Sequence, residues 1–129
     1  MANKLKAVGE FGLIDILKRN LPLDKHVIKG IGDDTAVLPF NHHSFLLLTT
    51  DMIVEDVHFT RKASAEGIGY KALACNISDI AAMGGIPTYA VVSLGIPADL
   101  KVSYIEHMYR GMQALASQFG VSVVGGDTV

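Results

Sequence analysis

The sequence predicts a single mixed α/β (α+β) domain over residues 1–129, with a sheet of about four to six strands and two long helices packed on one face. Half of the residues are apolar, which excludes a disordered chain and provides for a modest core. Two stretches of helical length alternate with short apolar runs that glycine, proline or asparagine interrupts. The expected order is therefore helix, several strands, helix, strand, helix, strand.

In the first part of the chain the predicted elements are short. Residues 10–19 carry apolar side chains at helical spacing and are expected to form an amphipathic helix. Strands are expected at 26–31, 35–40 and 45–50, and residues 52–59 are expected to be extended.

Two long helices are expected at 65–83 and 102–119, each ended by glycine. The first is apolar around most of its circumference, which predicts burial on more than one side. The apolar run at 88–96 predicts a strand that is buried on both faces. A last strand is expected at 121–124, before a glycine-rich turn.

Charge and cysteine content exclude several classes of protein. The chain has 11 basic and 13 acidic residues and a formal net charge of −2, so it lacks the basic balance expected of a nucleic-acid-binding protein. The single cysteine, Cys75, excludes an internal disulfide framework and a multi-cysteine metal site, and it fits a reducing, cytoplasmic location. Glycine and proline interrupt the apolar stretch at 72–98, so it is not expected to span a membrane.

Five aspartates are candidates for a shared ligand site. Four of them follow apolar strands, where side chains leave a sheet edge toward a cleft. The fifth lies within the first long helix, where a lone carboxylate is costly unless a basic group, backbone N–H groups or a cation offsets it. Taken singly, the aspartates next to glycine also fit ordinary turns. The five residues are Asp33, Asp34, Asp51, Asp79 and Asp127.

Convergence of these carboxylates would favour a bound cation, because like charges in one cleft repel one another. The available donors are carboxylates and the hydroxyls of Thr49 and Thr50, and such hard oxygen donors select magnesium or calcium. Magnesium with positions left for phosphate oxygens is a usual nucleotide arrangement. The sequence has no G-x-x-x-x-G-K-[ST] loop, so nucleotide binding would depend on metal bridges to the phosphates.

Two further residues have open roles on the sequence alone. His58 follows Asp51 on the same segment and could reach the same cleft. Tyr109, on the second long helix, fits a core or interface residue.

Five sequence blocks resemble those of thiamine-monophosphate kinases, in the family's order and spacing, across essentially the whole chain. One block would be weak evidence, whereas five in register are specific. The blocks are GEFGLI (9–14), GIGDDTAVL (30–38), TTDMIVEDVHF (49–59), YKALACNISDIAAMG (70–84) and GGDT (125–128).

The resemblance implies a superfamily of ATP-using enzymes that includes aminoimidazole ribonucleotide synthetase and selenophosphate synthetase. It implies an amino-terminal α/β domain whose sheet edge pairs with its twin in a homodimer, with ATP and several Mg²⁺ ions held along the interface. The implied reaction is direct transfer of the γ-phosphoryl group of ATP to thiamine monophosphate, which gives thiamine diphosphate.

Residue by residue, the resemblance places a substrate contact at His58 and nucleotide contacts at Tyr109, Gly126 and Asp127. It implies no separate catalytic side chain, because the transfer depends on positioning and on the metal. The implied metal ligands are Asp33, Asp34, Thr49, Thr50, Asp51, Asp79 and Asp127.

Enzymes of this family also have a carboxy-terminal domain with further ligand contacts, which is not part of these 129 residues. We therefore expect this chain not to turn over alone. Two other functions stay open, namely another ATP-using enzyme of the same superfamily and a non-catalytic dimerisation or nucleotide-binding module. The early GEFG block and His58 disfavour the first, and the intact aspartates disfavour the second.

Overall fold

The computed structural model describes residues 5–129, and residues 1–4 lie outside the described part of the chain. Residues 5–129 form a mixed α/β structure in two compact units, which divide between Thr49 and Thr50. We call them the first and the second unit. The elements are α1 (Leu5–Asn20), β1 (Ala36–Asn41), β2 (Ser44–Leu48), α2 (Ala65–Ala82), β3 (Tyr89–Leu94), α3 (Val102–Phe119) and β4 (Ser122–Thr128).

The first unit contains a helix and a hairpin, both close to their predicted positions. Non-helical backbone at Gly9 (φ 70°, ψ 176°) interrupts α1, so its regular part begins where the predicted helix begins. Strands β1 and β2 pair antiparallel, with Val37 opposite Leu47. The side chain of Asn41 accepts a hydrogen bond from the His43 N–H at 2.9 Å, which stabilises the turn between the strands.

The predicted strand at 26–31 is wrong. This stretch contributes a single bridge, between Lys29 and Val37, where the backbone groups of both residues bond to each other. Before the bridge, the Asp24 carboxylate accepts a hydrogen bond from the His26 N–H at 2.8 Å. A side-chain oxygen that binds the backbone two residues later favours a turn over a strand.

The second unit is built on a parallel pair of strands. Strands β3 and β4 are joined by α3, and Ala90 lies opposite Val123. The core cluster consists of residues from both long helices and of Val121, just before the last strand, and Ala90, Val92 and Val123 pack against it. The buried members are Leu73, Ile77, Met112, Leu115, Ala116 and Val121. Apolar burial between the helices and this strand pair is the main stabilising contribution in the unit.

One face of β3 remains exposed, which corrects the prediction of burial on both faces. Exposure alternates along the strand, so Ala90 and Val92 face the core while Tyr89 and Val91 are 75% and 73% exposed. Helix α2 is likewise buried along a limited set of positions, Ile68, Gly69, Leu73 and Ile77, rather than all round.

The four strands form two separate two-stranded sheets, β1–β2 and β3–β4, and not the single mixed sheet that the sequence predicted. The expectation that residues 52–59 are extended is wrong over their second part. Residues 54–58 form a turn in which Asp56 has φ 61° and the His58 N–H donates to the Val54 carbonyl.

The last strand is longer than the predicted 121–124 and includes Gly126 and Asp127. Its register shifts between Ala90 and Val91, so that Val124 is an extra residue in the manner of a β-bulge. Gly126 has φ 151°, and a Cβ there would lie 1.8 Å from the Val92 carbonyl oxygen. Glycine is therefore required at 126 for the two strands to pair.

Helices α2 and α3 touch through their backbones at two glycines. A Cβ built on Gly69 would lie 1.8 Å from the Met108 carbonyl oxygen, and one built on Gly111 would lie 1.8 Å from the Glu66 carbonyl oxygen. None of the helices formed by residues 5–129 has both the length and the apolar character that a membrane crossing requires.

We expect Gly111→Ala to lower the free energy of unfolding by at least about 1–3 kcal/mol, because the new methyl group meets backbone that cannot rotate away. Chemical denaturation of the variant and of the wild-type chain measures this difference. Gly95→Ala is the matched control, since a Cβ there meets nothing within 4 Å. Equal stability of the Gly111→Ala chain and the wild type would contradict the close helix crossing.

Candidate functional site

Asp33 and Asp34 lie in the irregular segment before β1, in the first unit, and both are exposed. The Asp33 carboxylate forms an ion pair with Lys29 and accepts a hydrogen bond from the Asp34 N–H at 3.0 Å. The Lys29 ammonium, followed by the Asp34 N–H, holds the pKa of Asp33 below its ordinary value. The Asp33 carboxylate is thus held by a cation and a backbone donor of its own unit.

Thr49 and Thr50 follow β2 at the boundary between the two units. Thr49 is half-buried and Thr50 is exposed. Thr35, next to Asp34, is buried, and its hydroxyl has no hydrogen-bond partner among the described residues.

Asp51 lies beside α2 in the second unit. Its N–H donates a hydrogen bond to the Asn76 side-chain oxygen at 3.0 Å, and the Asn76 amide nitrogen donates to the Ala72 carbonyl one turn earlier. Asp79 is half-buried on α2, one turn after Asn76. Residues three apart on a helix are neighbours on its surface, so the structure brings Asp51 and Asp79 to the same side of α2.

His58 ends the closed turn of residues 54–58. Its N–H donates to the Val54 carbonyl at 2.8 Å, while the Val54 N–H donates to the imidazole Nδ1 at 3.0 Å. Because Nδ1 accepts a hydrogen bond, the proton of the neutral ring lies on Nε2. His58 is exposed, so the ring can donate this proton in a hydrogen bond to a bound molecule.

Gly126 and Asp127 lie inside β4. Asp127 pairs with Ser93 on β3, and it is exposed. Paired residues project to the same face, so Asp127 lies on the sheet face that carries Tyr89 and Val91, away from the helices. Tyr109 lies on α3 with a partly exposed side chain.

The carboxylates do not form a complete metal site within either unit. Over residues 5–129, no group of three or more histidine, cysteine, aspartate or glutamate side chains is arranged to hold a metal ion. The predicted donors are nevertheless all carboxylate or hydroxyl oxygens, which fit magnesium in chemical type. Among the predicted donors of the second unit, Asp79 lies on α2, one turn after the Asn76 side chain that binds the Asp51 N–H.

A cavity of about 520 Å³ in the second unit involves none of the predicted residues. It lies between the starts of α2 and α3 and is lined by Ser64, Lys101 and Tyr104, among others. Arg61 in its wall is ion-paired with Glu55.

Three functional candidates appear only in the structure: Lys29, Lys71 and Asn76. Lys71 donates a hydrogen bond to the His58 carbonyl at 2.6 Å. In the sequence, Asn76 only interrupts an apolar stretch, and Lys71 lies two turns before Asp79 without a visible partner. A polar side chain inside an apolar helix was the one available signal for Asn76.

A match to a known family identifies the class of protein. The family described as AIR synthase related protein, N-terminal domain, matches residues 32–129. Because this match covers most of the chain, the chain belongs to that family.

The relatives within this class are thiamine-monophosphate kinases. The kinase of Aquifex aeolicus (strain VF5) is 45% identical over 124 residues, which cover 96% of this chain and 39% of the relative. The kinase of Bacillus subtilis (strain 168) is 47% identical over 123 residues, which cover 95% of this chain and 38% of the relative. The chain thus spans less than half the length of these relatives.

Solved structures agree with this result. AaThiL complexed with AMPPCP and TMP matches with a TM-score of 0.90 and 44% identity, covering 99% of this chain and 40% of that chain. The crystal structure of thiamine monophosphate kinase from Aquifex aeolicus matches with a TM-score of 0.80 and 40% identity, covering 98% of this chain and 39% of that chain. The predicted resemblance and the mixed α/β class are confirmed.

We expect Lys29→Met to raise the pKa of Asp33 toward the ordinary aspartate value, because the variant removes the cation that stabilises the carboxylate. NMR titration of the Asp33 carboxyl carbon measures the midpoint. The depressed pKa implies that the stabilising effect of the pair is present at neutral pH and is lost as the pH falls through that value. Lys25→Met, which removes a lysine without an ion pair among the described residues, should leave the midpoint unchanged; a similar rise in both variants would contradict the assignment.

Proposed function

We propose that this chain is the amino-terminal, ATP- and magnesium-binding part of a thiamine-monophosphate kinase. The whole enzyme transfers the γ-phosphoryl group of ATP to thiamine monophosphate and forms thiamine diphosphate. The observation that carries the proposal is the match to AaThiL complexed with AMPPCP and TMP, which covers 99% of this chain at a TM-score of 0.90. AMPPCP is an analogue of ATP, so that complex contains counterparts of both proposed ligands.

The proposed roles follow from the placement of the residues. The aspartates, together with Thr49 and Thr50, would hold magnesium, which would supply positive charge to neutralise the phosphates. Asp51 is held by its N–H to Asn76, one turn before Asp79 on α2, and the two carboxylates would serve as oxygen ligands for magnesium. Asp33 is a proposed ligand whose pKa Lys29 and the Asp34 N–H lower, so its carboxylate stays ionised further into the acid range than an ordinary aspartate.

His58 is the proposed substrate contact. Its Nδ1 is engaged by the Val54 N–H, which leaves the exposed Nε2–H as a donor to thiamine monophosphate. Tyr109 and Gly126 are the proposed nucleotide contacts, together with Asp127. Glycine at 126 allows close approach to the backbone, although the pairing with Val92 already requires it.

The complete reaction belongs, in this proposal, to a longer protein. The chain corresponds to 39% of the Aquifex aeolicus kinase, so the remaining contacts to the nucleotide and the substrate would come from a carboxy-terminal domain. The single free cysteine fits a cytoplasmic location.

We expect the chain to bind ATP in the presence of magnesium and to bind it more weakly after chelation. Asp79→Asn should weaken magnesium-dependent binding by at least about tenfold, because it removes a charged metal ligand. Isothermal titration calorimetry of ATP, with and without magnesium, measures both effects.

Asp15→Asn is the control for this experiment, since Asp15 is an exposed aspartate of α1 outside the proposed ligand set. It should bind ATP like the wild type. Equal ATP affinity in the wild type and in Asp79→Asn, with and without magnesium, would rule out the metal-bridged site.

We also propose that two copies of the chain form a dimer through the open faces of their β3–β4 sheets. Apolar side chains on the open face of β3–β4 support this, since Tyr89, Val91 and Val124 are 75%, 73% and 61% exposed. Exposed apolar patches of this kind mark interaction surfaces. The outer face also carries Asp127, so pairing there would bring the second copy close to a proposed metal ligand.

We expect Val91→Lys to convert a dimer into a monomer, because it places a charge in the middle of the proposed apolar interface. Size-exclusion chromatography with light scattering measures the mass. Val102→Lys is the matched control, because Val102 is equally exposed but lies at the start of α3. A wild-type chain that is monomeric at high concentration, or a Val91→Lys variant that stays dimeric, would refute this interface.

A further inference from the structure

The segment from Asp51 to His58 is tied to α2 at both ends. At its start, the Asp51 N–H binds the Asn76 side chain at 3.0 Å. At its end, the His58 carbonyl accepts a hydrogen bond from the Lys71 ammonium at 2.6 Å. The segment therefore runs antiparallel to α2 and carries a proposed metal ligand at one end and the proposed substrate ligand at the other.

The two hydrogen bonds hold both ends of the segment close to α2. Lys71 and Asn76 are five residues apart on a helix, which corresponds to roughly 7.5 Å along its axis. Seven residues in extended conformation would span roughly 23 Å, so the segment must fold back on itself to meet both side chains. It does so through the turn at 54–58, with Asp56 in the left-handed region at φ 61°.

The orientation of the His58 ring depends on this turn. The Val54 backbone holds His58 twice, through its carbonyl to the His58 N–H at 2.8 Å and through its N–H to the ring Nδ1 at 3.0 Å. Both bonds are local and both residues are exposed, and the other backbone bonds of the turn, from the Val57 N–H to the Val54 carbonyl and from the Asp56 N–H to the Phe59 carbonyl, are local as well. Lys71 adds a contact from a rigid helix, thirteen residues away in the sequence.

We propose that Lys71 is a positioning residue for the substrate site: its ammonium holds the His58 carbonyl against α2 and thereby aims the His58 Nε2–H at thiamine monophosphate. This inference rests on the proposed function, which supplies the role of His58. The ammonium does not touch the substrate in this arrangement. Its effect is confined to the His58 end of the segment, because Asn76 anchors the Asp51 end independently.

The first test measures the turn itself, without any ligand. In Lys71→Met, which keeps the length and the apolar stem of the side chain, backbone amide exchange should become faster at Val54 and His58. Nitrogen chemical shifts of the His58 ring should move from a single Nε2–H tautomer toward a mixture. The Asp51 amide is an internal reference, because its bond to Asn76 remains and its exchange should not change.

The second test measures binding. Lys71→Met should weaken the affinity for thiamine monophosphate, measured by calorimetry in the presence of magnesium and AMPPCP, by about three- to tenfold. The affinity for AMPPCP should stay within twofold of the wild type, roughly the scatter of surface substitutions.

Lys71→Arg should restore thiamine monophosphate binding, because a guanidinium can also donate to the carbonyl. Lys62→Met, a change at an exposed lysine without a hydrogen bond among the described residues, controls for the loss of charge.

The outcomes separate the two proposals. Unchanged exchange and an unchanged His58 tautomer in Lys71→Met would overturn the positioning role, whatever the binding data show. Equal losses of thiamine monophosphate and AMPPCP affinity would also overturn it, since a general structural defect would then explain both. If the wild-type chain binds AMPPCP but not thiamine monophosphate, the substrate role of His58 fails, while the exchange and tautomer data still decide whether Lys71 holds the turn.

Discussion

Backbone contact between α2 and α3 is the constraint on which the second unit depends. Gly69 and Gly111 let each helix approach the other's carbonyl oxygens, and a single Cβ at either position would collide with the backbone of the other helix. Leu73 and Ile77 of α2 then reach the residues of α3 and of β3–β4 that form the core. The close crossing fixes the position of α2, and thereby the positions of the residues that are hydrogen-bonded to α2.

Helix α2 has a second role beyond the core. Its polar side chains bind the chain that precedes it, with Asn76 at Asp51 and Lys71 at His58. The helix thus acts as a rigid base on which a short, exposed segment is laid. In the proposed kinase this arrangement connects a metal ligand, Asp79, with the segment that carries the substrate contact. A rigid base suits phosphoryl transfer, in which the protein acts mainly by positioning groups and neutralising charge.

Elements whose apolar pattern repeats over many residues were predictable from the sequence, and short irregular elements were not. The predicted helices at 65–83 and 102–119 agree with α2 and α3 within one residue, because their patterns extend over several turns. The predicted strand at 26–31 and the predicted extended conformation of 52–59 were wrong where local hydrogen bonds form turns instead. The aspartates were identifiable because they follow apolar runs or lie in an apolar helix, although in the structure Asp33 and Asp34 lie in an irregular segment and Asp127 lies within β4. The hydrogen-bond partner of Asp51 on α2, Asn76, was not identifiable, because a bond between residues 25 positions apart leaves no periodic pattern in the sequence.

The sequence by itself determined the family, the helices and the identity of the candidate ligands, since these depend on residue type and on spacing along the chain. Only the tertiary structure decided that the strands form two separate pairs, that one face of β3 is open and that the 51–58 segment folds back along α2. These features depend on contacts between residues that are distant in the sequence. Such contacts are set by packing at Gly69 and Gly111 and by single hydrogen bonds between distant residues, which local propensity does not encode.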